Sequence, residues 1–251
     1  MTRRVLVLLL ALAAAPAAAQ VPSGVRLDLN IPAGRLRVLE GDSVVRTYPV
    51  SVGKPGHDTP DGEFRIERAE WNPSWTPPPG RAWTRGKRFT APGPNNPMGR
   101  VKLFFAPLYF IHGTPDTASI GSPASHGCVR MLNRDAIALA RLLHERADPT
   151  VAPSEIGAIL ARPRQTRWST LRADVPLTIR YDPVEVEGGE IRVYRDLYSR
   201  GRIHTEALYH ALAAAGHDIS HVDRARLRAI LARATAARGV FRVPVSEALG
   251  G

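Results

Sequence analysis

The sequence predicts a mainly β protein with a short helix immediately after its single cysteine and a small helical extension at its C-terminus. Three observations lead there. Between Val25 and Val52, apolar residues alternate with polar ones and are interrupted by Pro- and Gly-containing turns; a period of two buries one face of a strand. After Cys128 the spacing lengthens, and Ile137, Leu139, Ala140, Leu142 and Leu143 form a helical apolar face. Beyond Ser199 helical spacing returns twice, over about 204–215 and 221–238.

Residues 1–19 carry Arg3 and Arg4, an apolar run from Val5 to Leu12 and an Ala-rich end broken by Pro16. A basic start, a short apolar core and an Ala-x-Ala end are the marks of a secretory signal, with cleavage expected after Ala19. The run is shorter than the roughly 20 residues that cross a bilayer, so stable membrane insertion is not expected. No cysteine follows to receive a lipid. The expected mature product is soluble and periplasmic.

Strands are expected at Val25–Leu29, Leu36–Leu39 and Val44–Val52, with Pro32-Ala33-Gly34 and Gly41-Asp42 as turns. Thr59-Pro60-Asp61-Gly62 turns into Glu63–Ile66. Residues 71–99 are dense in Pro, Gly and Trp, a linker-like composition; linkers seldom carry tryptophans, however, and a long irregular loop inside a domain is usually functional. Val101–Phe105 and Leu108–Ile111 resume strand character and bring His112 to a strand end. Asn133-Arg134-Asp135 opens the helix that runs to about Arg146. Residues 148–174, rich in Pro and Arg, read as a loop or insertion, and strands return at Val175–Tyr181 and Ile191–Tyr194. The domain reading is therefore a signal over 1–19, a catalytic domain over 20–198 and a helical extension over 199–251.

The net charge of +11 comes almost wholly from arginine, Lys54, Lys87 and Lys102 being the only lysines. The basic residues are scattered, and export argues against a nucleic-acid partner. Weak attraction to anionic envelope polymers fits such a charge.

A lone cysteine in an exported chain has no internal disulfide to form. Cys128 stands in Ser125-His126-Gly127-Cys128-Val129-Arg130-Met131, sixteen residues after His112. A thiol reacts as its thiolate, which a nearby imidazole can generate. His126, two residues away, shares a face with Cys128 in extended chain. His112 sits on a separate strand and is followed by Gly113, the arrangement preferred for a base. Gly127 lets the N–H groups around Cys128 turn toward a developing oxyanion. A buried structural cysteine with hydrogen-bonding histidines is the blander alternative. His217 and His221 have metal-ligand spacing on a helix but no third ligand, and are read as a solvated turn; no metal and no cofactor are expected.

Taken together, His112-Gly113-Thr114 and Ser125-His126-Gly127-Cys128-Val129-Arg130-Met131 resemble the signature of the L,D-transpeptidase catalytic domain of YkuD type. Tyr48–Lys54 with Thr59–Phe64, Trp71–Pro79, and Pro92–Pro94 with Asn96–Gly99 are similar to its Gram-negative branch. The resemblance covers about 24–145, and the strands near 175–198 more loosely. It implies a β-sandwich-like fold in which Cys128 attacks the diaminopimelate–D-Ala bond of a peptidoglycan stem peptide and forms a thioester. His112 would be the base, oriented by the Gly113 carbonyl. An amine then takes the acyl group: another stem, giving a 3–3 cross-link; a lipoprotein lysine; or a D-amino acid. Carbapenem adducts at Cys128 are implied too. His126 and Ser125 match positions lining the site. Arg130 matches as well, either pairing with a substrate carboxylate or forming a structural salt bridge. Trp71 and Trp75 are read as walls of the donor groove, with loop anchoring as the alternative. A hydrolase of the same fold, trimming D-Ala or cutting a wall link, and a non-catalytic wall-binding scaffold are the competing functions. The intact Cys128 with both histidines argues against the scaffold.

Overall fold

A computed structural model describes residues 24–148 and 151–250; the signal-peptide assignment lies outside them. Its first hairpins follow the alternation closely: β1 (Val25–Asn30), β2 (Arg35–Glu40) and β3 (Ser43–Pro49), then the short β4 (Val52–Gly53) and the long β5 (Gly62–Trp71). After the Pro/Gly/Trp segment come β6 (Val101–Ala106) and β7 (Tyr109–Thr114), then β8 (Pro123–Ser125) and β9 (Val129–Leu132) on either side of the cysteine. Helix α1 (Asn133–Ala147) and helix α2 (Pro153–Leu160) precede β10 (Arg167–Arg180). The chain closes with β11 (Val184–Glu187), β12 (Glu190–Val193), α3 (Thr205–Ala214), α4 (Arg224–Ala236), β13 (Phe241–Pro244) and α5 (Val245–Leu249).

Eight strands form one mixed sheet in the order β3-β2-β1-β10-β5-β6-β7-β9, with β1–β10 and β7–β9 parallel. Pleating separates its two faces. One row, Ala69, Leu103, Ile111 and Val129, is in register across β5, β6, β7 and β9 and is buried. Against this face packs α1, through Ala136, Leu139, Ala140, Leu143 and Ala147. The adjacent row on the opposite face is Glu70, Lys102, His112 and Arg130, all titratable.

Two expectations are corrected here. Residues 148–174 are not one loop: α2 begins with Pro153, which suits the first turn of a helix, and β10 begins at Arg167. Arg162-Pro163-Arg164 and the polar Arg167–Thr170 stretch mask that strand in the sequence. Trp71 does not wall a groove. It is fully buried, and its Nε1–H donates to Ser169 Oγ at 2.9 Å. Ser169 Oγ also lies 2.8 Å from His144 Nε2, while His144 Nδ1 faces Ala140 O at 2.8 Å. The Ala140 carbonyl can only accept, so His144 carries a proton on Nδ1, and in that tautomer Nε2 accepts the Ser169 hydroxyl.

The C-terminal segment is not helical alone. Val184, Ile191 and Val193 of β11 and β12, placed with the catalytic domain in the sequence reading, bury with Leu208, Leu212, Leu227, Ile230 and Val243 in a second apolar cluster. His204 and Asp223 cap α3 and α4 by accepting the N–H groups of Ala207 and Ala225. His217 and His221 lie in the turn between those helices. An arginine–carboxylate network joins this unit to the main sheet: Arg35 and Arg37 of β2 pair with Glu185 and Glu187, and Arg180 pairs with Asp28, Asp182 and Glu185. A cleft runs beside this network against α3; its Arg37 and Arg180 already face carboxylates, and Cys128 is not among the residues lining it.

Candidate active site

Cys128 sits between β8 and β9, half-buried at the end of a tight turn. Gly127 has φ +109°, and a Cβ there would come within 2.7 Å of Tyr109 Cε1 and 3.3 Å of the Asp58 carbonyl. Only glycine combines that backbone with that closeness. Ser125 is buried; its hydroxyl donates to the Cys128 carbonyl at 2.5 Å and accepts the Gly127 N–H at 3.0 Å. Thr59 donates to the Gly127 carbonyl at 3.0 Å, and the Lys54 N–H donates to the Ser125 carbonyl at 3.1 Å. The turn is thus pinned on both sides. These bonds engage Ser125 and the Gly127 N–H internally. The N–H of Cys128 makes no hydrogen bond among the described residues and is the donor left for an oxyanion.

His112 lies within β7, buried, opposite Lys102 on one side and Arg130 on the other. Cys128 immediately precedes β9, whose Arg130 lies beside His112 in the parallel β7–β9 pair, and the charges of Arg130 and Lys102 act on both groups. His112 Nδ1 is 2.7 Å from the Gly113 carbonyl. That bond requires a proton on Nδ1 and leaves Nε2 as the basic nitrogen. Gly113 leaves room for the Asn133 side chain, whose Oδ1 a Cβ there would meet at 2.2 Å. The Asn133 side chain accepts the Arg100 N–H and donates to the Thr114 carbonyl, clipping the loop end to β7.

Burial pushes His112 down to about 4, against the Gly113 hydrogen bond, with Arg130 and Lys102 adding to the fall. Burial pushes the Cys128 thiol up to about 11, against the Phe110 N–H hydrogen bond and the charges of Arg130 and Lys102. Both groups are therefore neutral near pH 7. The thiol faces the Leu108 carbonyl at 3.6 Å. Leu108 is itself exposed and left-handed at φ +68°, an unfavourable conformation for a leucine in a β-turn.

His126 takes a different position from His112. It stacks on Trp83 (centroids 4.1 Å apart, planes 17° apart) and meets His57 edge-on at 4.6 Å. Burial, then Lys54, His57, Lys87 and Arg130, lower it to about 4. Lys87 Nζ lies over both Trp83 (5.3 Å) and Trp75 (5.8 Å). Trp75 is half-buried and pairs through its backbone with Thr90, so it stiffens the 72–100 loop while lending a face to this aromatic and cationic wall. Asn96, buried beneath, holds the carbonyls of Thr90 and Ala91 and the N–H of Met98. Arg130 Nη1 is 3.6 Å from Asp116 Oδ2, and its backbone bridges Ser51.

Sequence reasoning missed Trp83, His57, Thr59 and the Glu70–Lys102 pair. That pair is 2.5 Å apart and almost wholly buried in the row with His112. Trp83 lies in the Trp-rich segment and was discoverable there; Glu70 and Lys102 become partners only through the β5–β6 register.

The residues matched by a family model fit this geometry. Residues 24–156, just over half of the chain, match the L,D-transpeptidase catalytic domain (YkuD), and the chain belongs to that family. It is 35% identical to ErfK/SrfK of Escherichia coli K12 over 46% of this chain and 40% of that protein, and equally to YbiS of the same organism over 46% and 41%. It is 33% identical to YkuD of Bacillus licheniformis over 53% of this chain and 67% of that one. All three carry the L,D-transpeptidase name. The match thus spans about two fifths of the Escherichia coli relatives. Among solved structures, the L,D-transpeptidase LdtMt1 in complex with imipenem aligns at 18% identity and TM-score 0.41, covering 62% of this chain and 59% of that one. No helix among the described residues is long and apolar enough to cross a membrane.

Proposed function

We propose that this protein is a periplasmic peptidoglycan L,D-transpeptidase with Cys128 as nucleophile and His112 as base. The observation that carries the reading is that Cys128 leads directly into the strand paired with the one bearing His112, both under the charges of Arg130 and Lys102, with His112 Nδ1 held by Gly113 so that Nε2 is the free basic nitrogen.

The neutral pair favours general-base catalysis over a standing ion pair. As the sulfur attacks the carbonyl carbon of the residue before the terminal D-Ala, the thiol proton passes to His112 Nε2. The carbonyl oxygen takes the negative charge, stabilised by the Cys128 N–H and the nearby Arg130 and Lys102. Collapse breaks the C–N bond, and the D-Ala amine leaves with the proton from His112. An acceptor amine then attacks the thioester, gives its proton to His112, and releases the thiol. The Lys54, Lys87 and Arg130 cations around His126 suit a carboxylate-bearing stem peptide. A lipoprotein lysine remains an alternative acceptor, and water would turn the same intermediate into carboxypeptidase action.

Mature protein incubated with disaccharide-tetrapeptide, with and without an added D-amino acid, tests this by mass spectrometry. D-Ala release with an exchanged or cross-linked product is expected, together with its loss in Cys128→Ala. Release of tripeptide alone would move the assignment to a hydrolase, and unchanged turnover in Cys128→Ala would refute the nucleophile.

A further inference from the structure

The C-terminal strap, residues 194–201, lies outside the segment matched by the family model, yet it is hydrogen-bonded into the catalytic turn. Tyr198 Oη donates to the Gly53 carbonyl at 2.9 Å and accepts the Thr59 N–H at 3.1 Å. Gly53 N–H in turn donates to Thr59 Oγ1 at 2.8 Å, and Thr59 Oγ1 donates to the Gly127 carbonyl at 3.0 Å. One relay therefore runs from Tyr198 to the residue before the thiol. Gly53 is fixed in it, because a Cβ there would lie 2.0 Å from the His57 carbonyl.

The strap is built to hold that phenol in place. The Tyr198 N–H donates to Tyr181 Oη at 2.7 Å, and Tyr181 Oη donates to Asp196 Oδ1 at 2.5 Å. Asp196 also accepts the N–H groups of Arg200 and Gly201, at 3.0 and 2.7 Å. Between them Ser199 is held at φ +53°, a conformation serine adopts only when its surroundings impose it. Arg200 lies over the rings of Tyr181 (4.4 Å) and Tyr198 (5.3 Å) and pairs with Asp61 at 2.9 Å. Both ends of the 53–61 loop are thereby fastened to the strap.

We propose that Tyr198 is a positioning residue for catalysis: through Thr59 it fixes the Gly127–Cys128 peptide and with it the direction of the Cys128 N–H. A catalytic donor loses much of its effect when its supporting residues leave it loose. This rests on the reading of Cys128 as nucleophile, so the test has one arm that does not.

Tyr198→Phe removes the hydroxyl and keeps the ring. The first arm follows deuterium uptake by mass spectrometry in peptides covering 53–61 and 123–132 of the mature protein. Uptake in both is expected to rise at least several-fold in rate, with the global thermal midpoint nearly unchanged; uptake like the parent's would overturn the relay whatever the enzyme does. The second arm measures acyl-enzyme formation from disaccharide-tetrapeptide. About a tenfold slower rate at saturation is expected, with half-saturation within twofold of the parent. Thr59→Val cuts the relay at its other end without touching the strap; the double variant should then be no slower than the worse single one, since members of one network are not additive. Parent-like acylation rates despite loosened exchange would overturn the positioning role. A parent protein that never acylates would instead count against the function reading, leaving the exchange result to judge the relay.

Discussion

At the scale of single residues, the site couples a thiol that resists ionisation to an imidazole that resists protonation. With Cys128 up at about 11 and His112 down at about 4, very little thiolate exists near neutral pH, and reactivity must await a substrate that draws the proton across. Alkylation by iodoacetamide, which needs thiolate but no oxyanion donor, is expected to be slow at pH 6–7 and to climb steadily above the pH at which a free thiol titrates. A rate plateau between pH 5 and 7 would show a preformed thiolate–imidazolium pair and refute this. The His-Gly and Ser-His-Gly-Cys runs made these residues legible in the sequence, because each glycine and each ring has a local chemical reason to be there. The division of labour was less legible. Ser125, expected to line the site, turns inward to the Cys128 carbonyl and the Gly127 N–H, and His126 stacks on Trp83; both outcomes depend on contacts between distant segments.

At the scale of elements, sheet register organises the site. Glu70, Lys102, His112 and Arg130 stand side by side on β5, β6, β7 and β9, so a buried ammonium–carboxylate pair abuts His112. Removing one partner of such a pair leaves a buried charge unmatched, which costs about 3–5 kcal/mol, whereas replacing both is often neutral. Lys102→Met is therefore expected to lower stability by about 3–5 kcal/mol in urea unfolding, and Glu70→Gln with Lys102→Met to recover most of it. Equal losses in the single and double variants would show that the pair is not coupled. The strands β1 and β2 and helix α1 were readable from periodicity because each has one wetter and one drier face. β10 was not, since its first half alternates among Arg, Trp, Ser and Thr beside a proline, and its central place between β1 and β5 is set by long-range pairing. The C-terminal helices showed their apolar stripes, but the strands completing their core, β11 to β13, are four residues each, too short for period alone to assign them a partner.

At the scale of the whole molecule, two apolar cores are joined by charges, and acid should act on both the join and the site. Burial pushes Glu185 up, but the Arg180 charge and hydrogen bond, with Arg37, hold it down to about 2. A carboxyl held below its unfolded value adds stability that is complete above the unfolded range near 4.5 and is lost as pH falls toward 2. His112, buried and lowered to about 4, obeys the same sign: the unfolded chain binds its proton first, so stability falls as pH drops from about 6.5 to 4. The thermal midpoint is thus expected to decline in the upper window through His112 and His126, then again below pH 4.5 through the arginine–carboxylate join. His112→Asn should make the first decline shallower, His126 (also lowered to about 4) carrying the remainder, and leave the second. Because Glu185 and Glu187 face Arg35, Arg37 and Arg180 across the join, the second decline should release the C-terminal unit before the main sheet, seen as early deuterium uptake in 184–193 while 101–114 remains protected. A midpoint flat from pH 6.5 to 3, or simultaneous loss of protection in both segments, would show that the two cores are held together by something other than these charges.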